Sequence, residues 1–286
     1  FEFVALDVGQ GTAVLVRTRT HLLVYDTGAA FSTEADAGSR LVVPLLHRRG
    51  ERRIDHLVLS HRDSDHTGGA AAVIAALPPV SLTSSLEDSH PLLVQARAAG
   101  AAVSRCAAGQ HWEWDGVRFE MLHPLLTDYD RAAVAKPNAM SCVLRVTAAA
   151  DAAGEAAASV LLTGDIEAAQ EAALLARSNG GELRAQTLLV PHHGSRTSST
   201  VAFIEAVAPA RAVFQAGYRS RFGHPAPDVM ARYSARGIKV VRSDRCGAWT
   251  WSAEGSASCT READRRYWTH RLPAVDEPVP LARPPN

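Results

Sequence analysis

The run Ser60-His61-Arg62-Asp63-Ser64-Asp65-His66-Thr67-Gly68-Gly69 follows a β-type stretch at Ile54 to Leu59 and precedes an alanine-rich helical stretch. A strand, a ligand-rich turn and a helix in direct succession constrain the fold more than any other feature of the chain. Four metal-ligand side chains, His61, Asp63, Asp65 and His66, fall in one turn at the end of a strand. Residues two apart in an extended segment point the same way, so His61 and Asp63 share a direction while Asp65 and His66 reach a second point. That geometry suits two divalent metals bridged by water. The plainer alternative is a polar turn whose aspartates cap the next helix. It has to account for four potential ligands packed behind a buried strand.

Further ligands must come from elsewhere. Asp165 closes the strand Ser159 to Leu162 through Thr163-Gly164, so its carboxylate projects from the strand end and is placed to bridge both metals. Its competing role is to cap the helix that follows at Glu167 to Arg177. His192 and His193 follow the strand Thr187 to Val190; adjacent side chains point to different sides, so one binds metal and the other acts as a general acid or holds a phosphate. Asp26, ending a strand as Asp26-Thr27-Gly28, could orient a ligand histidine by accepting its second N–H. Asn138 and Ser141, ahead of the strand Cys142 to Val146, offer polar contacts near the metals. His224 sits in the loop Phe222-Gly223-His224-Pro225, within reach of a phosphate or the metal shell. Tyr218, Arg219, Arg221 and Phe222, with Arg196, combine charge and aromatic faces as single-stranded DNA grooves do. His21, His47, His56, His90, His111, His123 and His270 have no such setting and read as ordinary residues.

Strand-like and helical stretches alternate along the chain, and the suspect residues all fall at the carboxyl ends of strands, where α/β folds place their sites. Two β-rich halves, each with its helices, predict two sheets packed face to face with helices outside. A helix is expected over Ser39 to Arg49, and hairpins around Asp115-Gly116 and Glu254-Gly255. Basic and acidic residues balance at 30 each, so no global field attracts nucleic acid or membrane, and an anionic substrate must be held locally. No apolar run is long enough to span a bilayer. The chain starts at Phe1 directly in a strand pattern and reads as a piece of a larger protein. Cys106 and Cys142 read as core residues. Cys246 and Cys259 flank a hairpin and are either a disulfide or two buried thiols. Ala148 to Ala158 is of low complexity, and the proline-rich stretch 272–286 reads as a disordered tail behind a domain at 1–271.

With these residues in hand, the chain resembles the metallo-β-lactamase-fold hydrolases. His61-x-Asp63-x-Asp65-His66 is similar to their His-x-His-x-Asp-His motif, with Asp63 in place of the second histidine. More narrowly it resembles the ComEC family of DNA-uptake proteins, in the domain beyond their membrane channel. The carriers are Leu6-Asp7-Val8-Gly9-Gln10-Gly11, Ser60 to Gly69, Leu161 to Asp165, Val190 to Ser195 and Gly223-His224-Pro225. The resemblance implies a four-layer αββα sandwich. It implies a metal-dependent phosphodiesterase, a deoxyribonuclease degrading one DNA strand while the other enters the cell. It also implies a place at the extracytoplasmic, periplasmic face of the inner membrane, with the rest of the channel protein and single-stranded DNA as partners. The reading puts His61, Asp63 and Asp165 on one metal and Asp65, His66, Asp165 and His193 on the other. Asp65, His192 and His224 take part in catalysis, while Asp26 and Asn138 support the ligands. His193 is preferred over His192 because Pro191-His192-His193-Gly194 aligns with the superfamily's Pro-Gly-His-Gly. The superfamily's third-motif histidine has no clear counterpart, Asn138 being nearest in order. An oxygen-rich shell brings Mn2+ alongside Zn2+ as the expected ion. A small-ester or phosphodiester hydrolase and a DNA-binding module without catalysis are the rival readings.

Overall fold

Phe3 and Ala5 face one way and Val4 and Leu6 the other, as the two-residue period of a strand requires. The same alternation, strand after strand, sorts the buried apolar residues into three clusters. In one, Phe3, Val16 and Tyr25 meet Phe119, Leu144, Leu162 and Val213. In the second, Val24, Leu57 and Leu59 meet the helical residues Leu46, Val73, Ile74 and Leu93. In the third, Leu161, Leu188 and Phe214 meet Leu174, Phe203, Val207 and Tyr233. Three apolar interfaces separate four layers, helices on sheet on sheet on helices, which is the expected αββα sandwich. These relations come from a computed structural model that describes residues 1–131, 136–148, 158–178 and 181–265. Most of the low-complexity stretch, His270 and the tail at 272–286 lie outside the described residues.

The first sheet has the order Ala257–Cys259, Trp249–Ser252, Glu2–Ala5, Val14–Arg17, Leu22–Tyr25, Ile54–Leu59, Pro79–Ser84, Ala102–Arg105. The second runs Lys239–Arg242, Arg211–Phe214, Thr187–Leu189, Ser159–Leu162, Val143–Ala148, Val117–His123, His111–Trp114. The strands from Leu22–Tyr25 through Ala102–Arg105 are mutually parallel, as are those from Ser159–Leu162 through Lys239–Arg242. Parallel strands deliver their carboxyl ends to a common edge. That brings Asp26, Ser60 to His66, Asp165, His193 and Gln215 to one rim, although they are far apart in sequence.

Two expectations need correction. The helix foreseen over Ser39 to Arg49 begins as a π-turn at Gly38–Val42 and becomes α-helical only at Val43–Arg48. Pro44, near the start of the regular part, has no N–H to donate into an α-helical ladder. Gly38 also lies so close to Gly69 that a Cβ would stand 2.1 Å from the Gly69 carbonyl oxygen. Cys106 and Cys142 are core residues, as expected, but they are joined in a disulfide. The spacing of 36 residues hides a pairing that exists only once the second sheet packs on the first. Cys246 and Cys259 are also bridged, beside the Trp249–Ser252 and Ala257–Cys259 hairpin. The hairpins at both predicted turns are present.

His56 is an ordinary core histidine with an uncommon environment. Its Nδ1 and Nε2 lie 2.8 Å from Ser81 Oγ and 3.0 Å from Thr83 Oγ1, and its ring stacks on Trp112. Burial pushes its pKa down to about 4. The unfolded chain therefore binds a proton at this position between about pH 6.5 and 4 that the folded chain does not, so this contribution to stability falls as pH falls. Relative to the parent chain, His56→Gln is expected to gain roughly 2 kcal/mol between pH 7.5 and pH 5. Urea unfolding at both pH values measures it, and an unchanged difference would mean that His56 titrates like a solvated histidine.

Candidate metal centre

The turn at Ser60 to Gly69 is held from two sides by backbone. Thr27 N and Oγ1 both donate to the His66 carbonyl, at 2.8 and 3.0 Å, and Thr12 N donates to the Asp65 carbonyl at 3.0 Å. These contacts need small residues. At Gly11, whose φ is +142°, a Cβ would lie 2.3 Å from the Asp65 carbonyl oxygen, and at Gly68 one would lie 2.0 Å from Ala30 N. Neither aspartate of interest is spent on capping. Asp63 is the N-cap of the short helix Ser64–Thr67 but makes no side-chain cap bond, and the helix Ala168–Arg177 is capped by Glu167 in a reciprocal pair with Gln170.

Asp26 is fully buried and organises the histidines. Its Oδ1 accepts from Ser60 N at 2.7 Å; its Oδ2 accepts from Ser60 Oγ at 2.7 Å and from His66 Nδ1 at 2.7 Å. Ser60 Oγ has thus given its proton to Asp26 and can only accept from His61 Nδ1, 3.0 Å away. On the other side, His193 Nδ1 lies 2.8 Å from the Gln215 carbonyl oxygen, which can only accept. His66 and His193 therefore carry a proton on Nδ1 and aim Nε2 inward, where it can meet a cation or take a second proton; His61 is aimed the same way if its Nδ1 donates to Ser60.

The inward atoms come together. One donor atom each from Asp65, His66, Asp165 and His193 lies within 4.8 Å of all the others. His66 Nε2 is 3.1 Å from Asp165 Oδ1 and 3.3 Å from His193 Nε2; His193 Nε2 is 3.2 Å from Asp65 Oδ2 and 3.5 Å from Asp165 Oδ2. Asp165 Oδ1 and the buried His61 Nε2 have no hydrogen-bond donor. Lone pairs facing lone pairs at this spacing repel unless a cation or a shared proton sits between them. Two imidazole nitrogens and two carboxylates match the donor set of a first-row divalent ion. The same crowding shows in the protonation equilibria. Burial opposes charge on every member, yet the Asp165 and Asp26 carboxylates hold His66 well above the usual histidine range. Burial likewise works against ionised Asp165, but His193 and His66 keep its carboxyl well below the usual range.

His61 and Asp63 stand at the flank of this quartet. His61 is buried, its ring centroid is 4.2 Å from that of His66, and its Nε2 is 3.6 Å from Asp63 Oδ2. Asp63 is partly exposed, and among the described residues no second group of three ligands closes around the pair. His192 and His193 both have left-handed backbone, φ 50° and 54°. The two side chains diverge as expected: His193 enters the quartet, and His192 lies outside it, Nε2 3.7 Å from Asp165 Oδ2. His192 Nδ1 faces Thr197 Oγ1 at 3.2 Å, and Asn138 Nδ2 is 3.5 Å from the ring nitrogens.

Over the quartet lies a cleft of about 290 Å³ lined by Gln10, Asp63, Ser64, Asp65, Asp165, His192, His193, Phe222 and His224. The His224 ring is 6.2 Å from that of His193 and 6.0 Å from that of Phe222, and burial with the flanking His193 and His192 pushes its pKa down to about 4. Arg219 and Arg221 lie outside the lining, over the rings of the exposed Tyr218 and Phe222. Arg196 pairs with Asp228 at 3.2 Å and is also outside the cleft.

Three contributors were not foreseen. Ser60 relays Asp26 to His61. Gln10 accepts from Ser220 Oγ at 2.8 Å and so ties the Phe222 loop to the first strand turn. Gln215 orients His193 through its carbonyl while its side-chain amide donates to the Leu6 and Ala13 carbonyls, both at 2.8 Å. A polar residue directly after the buried strand residues Ala212, Val213 and Phe214 was the available signal for Gln215.

A family model described as the metallo-beta-lactamase superfamily matches residues 6–129. The chain is 40% identical over 242 residues to competence protein ComA of Neisseria gonorrhoeae, covering 85% of this chain and 31% of that protein. It is 33% identical over 229 residues to recombination protein 2 of Haemophilus influenzae, covering 79% of this chain and 26% of that one. The chain thus spans between a quarter and a third of the length of these relatives. Among solved structures, the metallo-beta-lactamase fold protein YhfI from Bacillus subtilis superposes with a TM-score of 0.55 at 12% identity, over 88% of this chain and 100% of that one.

Proposed function

This chain is a homologue of ComEC-type competence proteins and carries a metallo-β-lactamase domain, and on that premise we propose that it is the nuclease domain of a DNA-uptake protein. In this reading residues 1–271 form a metal-dependent phosphodiesterase that degrades the DNA strand not taken into the cell. The observation that carries it is the convergence of Asp65, His66, Asp165 and His193 from three distant parts of the chain, with every histidine tautomer set for ligation. These four would hold one divalent cation, Mn2+ or Zn2+. His61, Asp63 and Asp165 would be the residues to hold a second. Bound there, a divalent cation lowers the pKa of water and offsets the negative charge that builds on phosphorus.

The protein's own groups do the rest. Asp26 and Gln215 keep the Nε2 atoms of His66 and His193 aimed at one point, and Asp65 and Asp165 hold the charge balance of the site. His192 and His224 reach into the cleft from outside the quartet, placed to donate N–H to a non-bridging phosphate oxygen or to the leaving oxygen. Phe222 supplies a flat face for a base, and Arg196, Arg219 and Arg221 line the approach of single-stranded DNA. Two disulfides support an oxidising, extracytoplasmic location. Among the described residues no helix is long and apolar enough to cross a membrane.

The test is metal analysis of the purified chain together with manganese- and zinc-dependent assays on labelled single-stranded DNA and on a generic phosphodiester. Cleavage of DNA in preference to the small diester is expected. Hydrolysis of the small diester alone would favour a small-substrate hydrolase, and a mobility shift with manganese but no cleavage would favour a binding module.

A further inference from the structure

Beside the metal centre, across the wall formed by His61, lies a second cleft of about 340 Å³ that the nuclease reading has not used. Its charges are already matched. Arg62 Nη1 is 2.9 Å from Glu87 Oε1, and Arg105 Nη2 is 2.6 Å from Asp88 Oδ2. A pocket neutralised in this way does not select for phosphate. It does present guanidinium donors and carboxylate acceptors side by side, the groups that match the edges of nucleobases. Its remaining walls combine the Tyr129 ring and the apolar Leu86, Pro137 and Met140 with the polar Ser85 and Ser89. The Arg105 guanidinium lies 5.1 Å from the Tyr129 ring centroid.

The pocket is braced to the metal centre. Tyr129 Oη donates to the Cys106 carbonyl at 2.8 Å, and Cys106 is bridged to Cys142. Cys142 follows Met140 of the pocket and Ser141, whose Oγ accepts from Asp165 N at 3.0 Å. One covalent link therefore fixes the Tyr129 wall, the Met140 wall and the backbone of a quartet residue in a single frame.

We propose that this cleft is a nucleobase subsite, which takes the base of a nucleotide adjoining the phosphate held at the metal centre by stacking it on the Arg105–Tyr129 pair. The proposal rests on the phosphodiesterase reading and extends it: substrate runs through the centre, with Phe222 on one side and Tyr129 on the other. Base–aromatic stacking of ordinary strength corresponds to about a tenfold effect on binding.

Tyr129→Ala and Tyr129→Phe, loaded with manganese, are compared with the parent chain on an oligodeoxynucleotide and on an abasic strand of equal length. Tyr129→Ala is expected to raise KM on the base-bearing strand about tenfold more than on the abasic one. Tyr129→Phe, which keeps the ring but loses the bond to the Cys106 carbonyl, is expected to change KM by the same factor on both strands, with no base-dependent loss. Equal losses on both strands in Tyr129→Ala, or a base-dependent loss in Tyr129→Phe as large as in Tyr129→Ala, would overturn the subsite. If the parent chain cleaves neither strand with manganese or zinc, the nuclease reading fails separately. Fluorescence anisotropy on the same two strands then decides the subsite: a tenfold base-dependent loss in Tyr129→Ala upholds it, and no such loss overturns it.

Discussion

Asp165→Ala is expected to strip divalent metal from the centre and to lower phosphodiester hydrolysis by at least about a thousandfold, a loss of about 4 kcal/mol. Asp165 is the carboxylate between the histidines, 3.1 Å from His66 Nε2 through one oxygen and 3.5 Å from His193 Nε2 through the other. Without it the quartet has two imidazoles and one partly exposed carboxylate, and the charge of a bound cation goes largely uncompensated. The fold should persist, because the backbone bond from residue 165 to Ser141 Oγ does not need the side chain. Asp65→Ala is expected to behave similarly. Asp26→Ala is the informative contrast: it keeps all four ligands but releases His66 and Ser60, and such a change typically costs about 10- to 100-fold in metal affinity. Calorimetric metal titration, circular dichroism and initial rates read these outcomes. A folded Asp165→Ala protein with parental metal affinity and rate would remove the centre from consideration.

The second large effect concerns stability. Replacing Cys106 and Cys142 together with serine is expected to cost about 4 kcal/mol, the chain entropy released when a 36-residue loop is no longer closed. The shorter Cys246–Cys259 loop, with a separation of 13, should cost about 3 kcal/mol on the same reasoning. Stability alone separates the two poorly, but metal affinity does so sharply. Cys142 adjoins Ser141, which positions Asp165, so opening the first bridge should weaken metal binding as well as stability. Opening the second should lower the denaturant midpoint and leave metal affinity at the parental value. Urea unfolding with parallel metal titration of both double variants checks this. Equal metal affinities in the two would disconnect the bridge from the site.

Much of this architecture was legible from residue order, for identifiable reasons. The apolar runs at Phe3 to Val8 and Ser159 to Leu162 were legible as strands, but because they are apolar on both sides only the packed sheets assign Phe3 and Val4, or Leu161 and Leu162, to different faces. The turn at His61 to His66 was legible because four ligands in one segment need no long-range information to be noticed. Asp26 was legible as a carboxylate at a strand end. The roles of Ser60 and Gln215 were not, because a serine or glutamine takes its meaning from what lies opposite. Gln215 acts on His193 through its backbone, which carries no residue-specific mark. The shape of the segment from Gly38 was missed because its π-turn answers to Pro44 and to the close approach of Gly69.

Sequence by itself determined the kinds of ligand, their positions at strand ends and the apolar strands that build two sheets, because each is a local property of composition and spacing. The tertiary structure seats in the quartet the histidine that the resemblance preferred, His193, and it alone decided that Cys106 pairs with Cys142 and that a neutralised cleft with Tyr129 opens next to His61. Those outcomes depend on how two sheets are aligned across a shared core, and the distances between residues remote in sequence come into being only when that core closes.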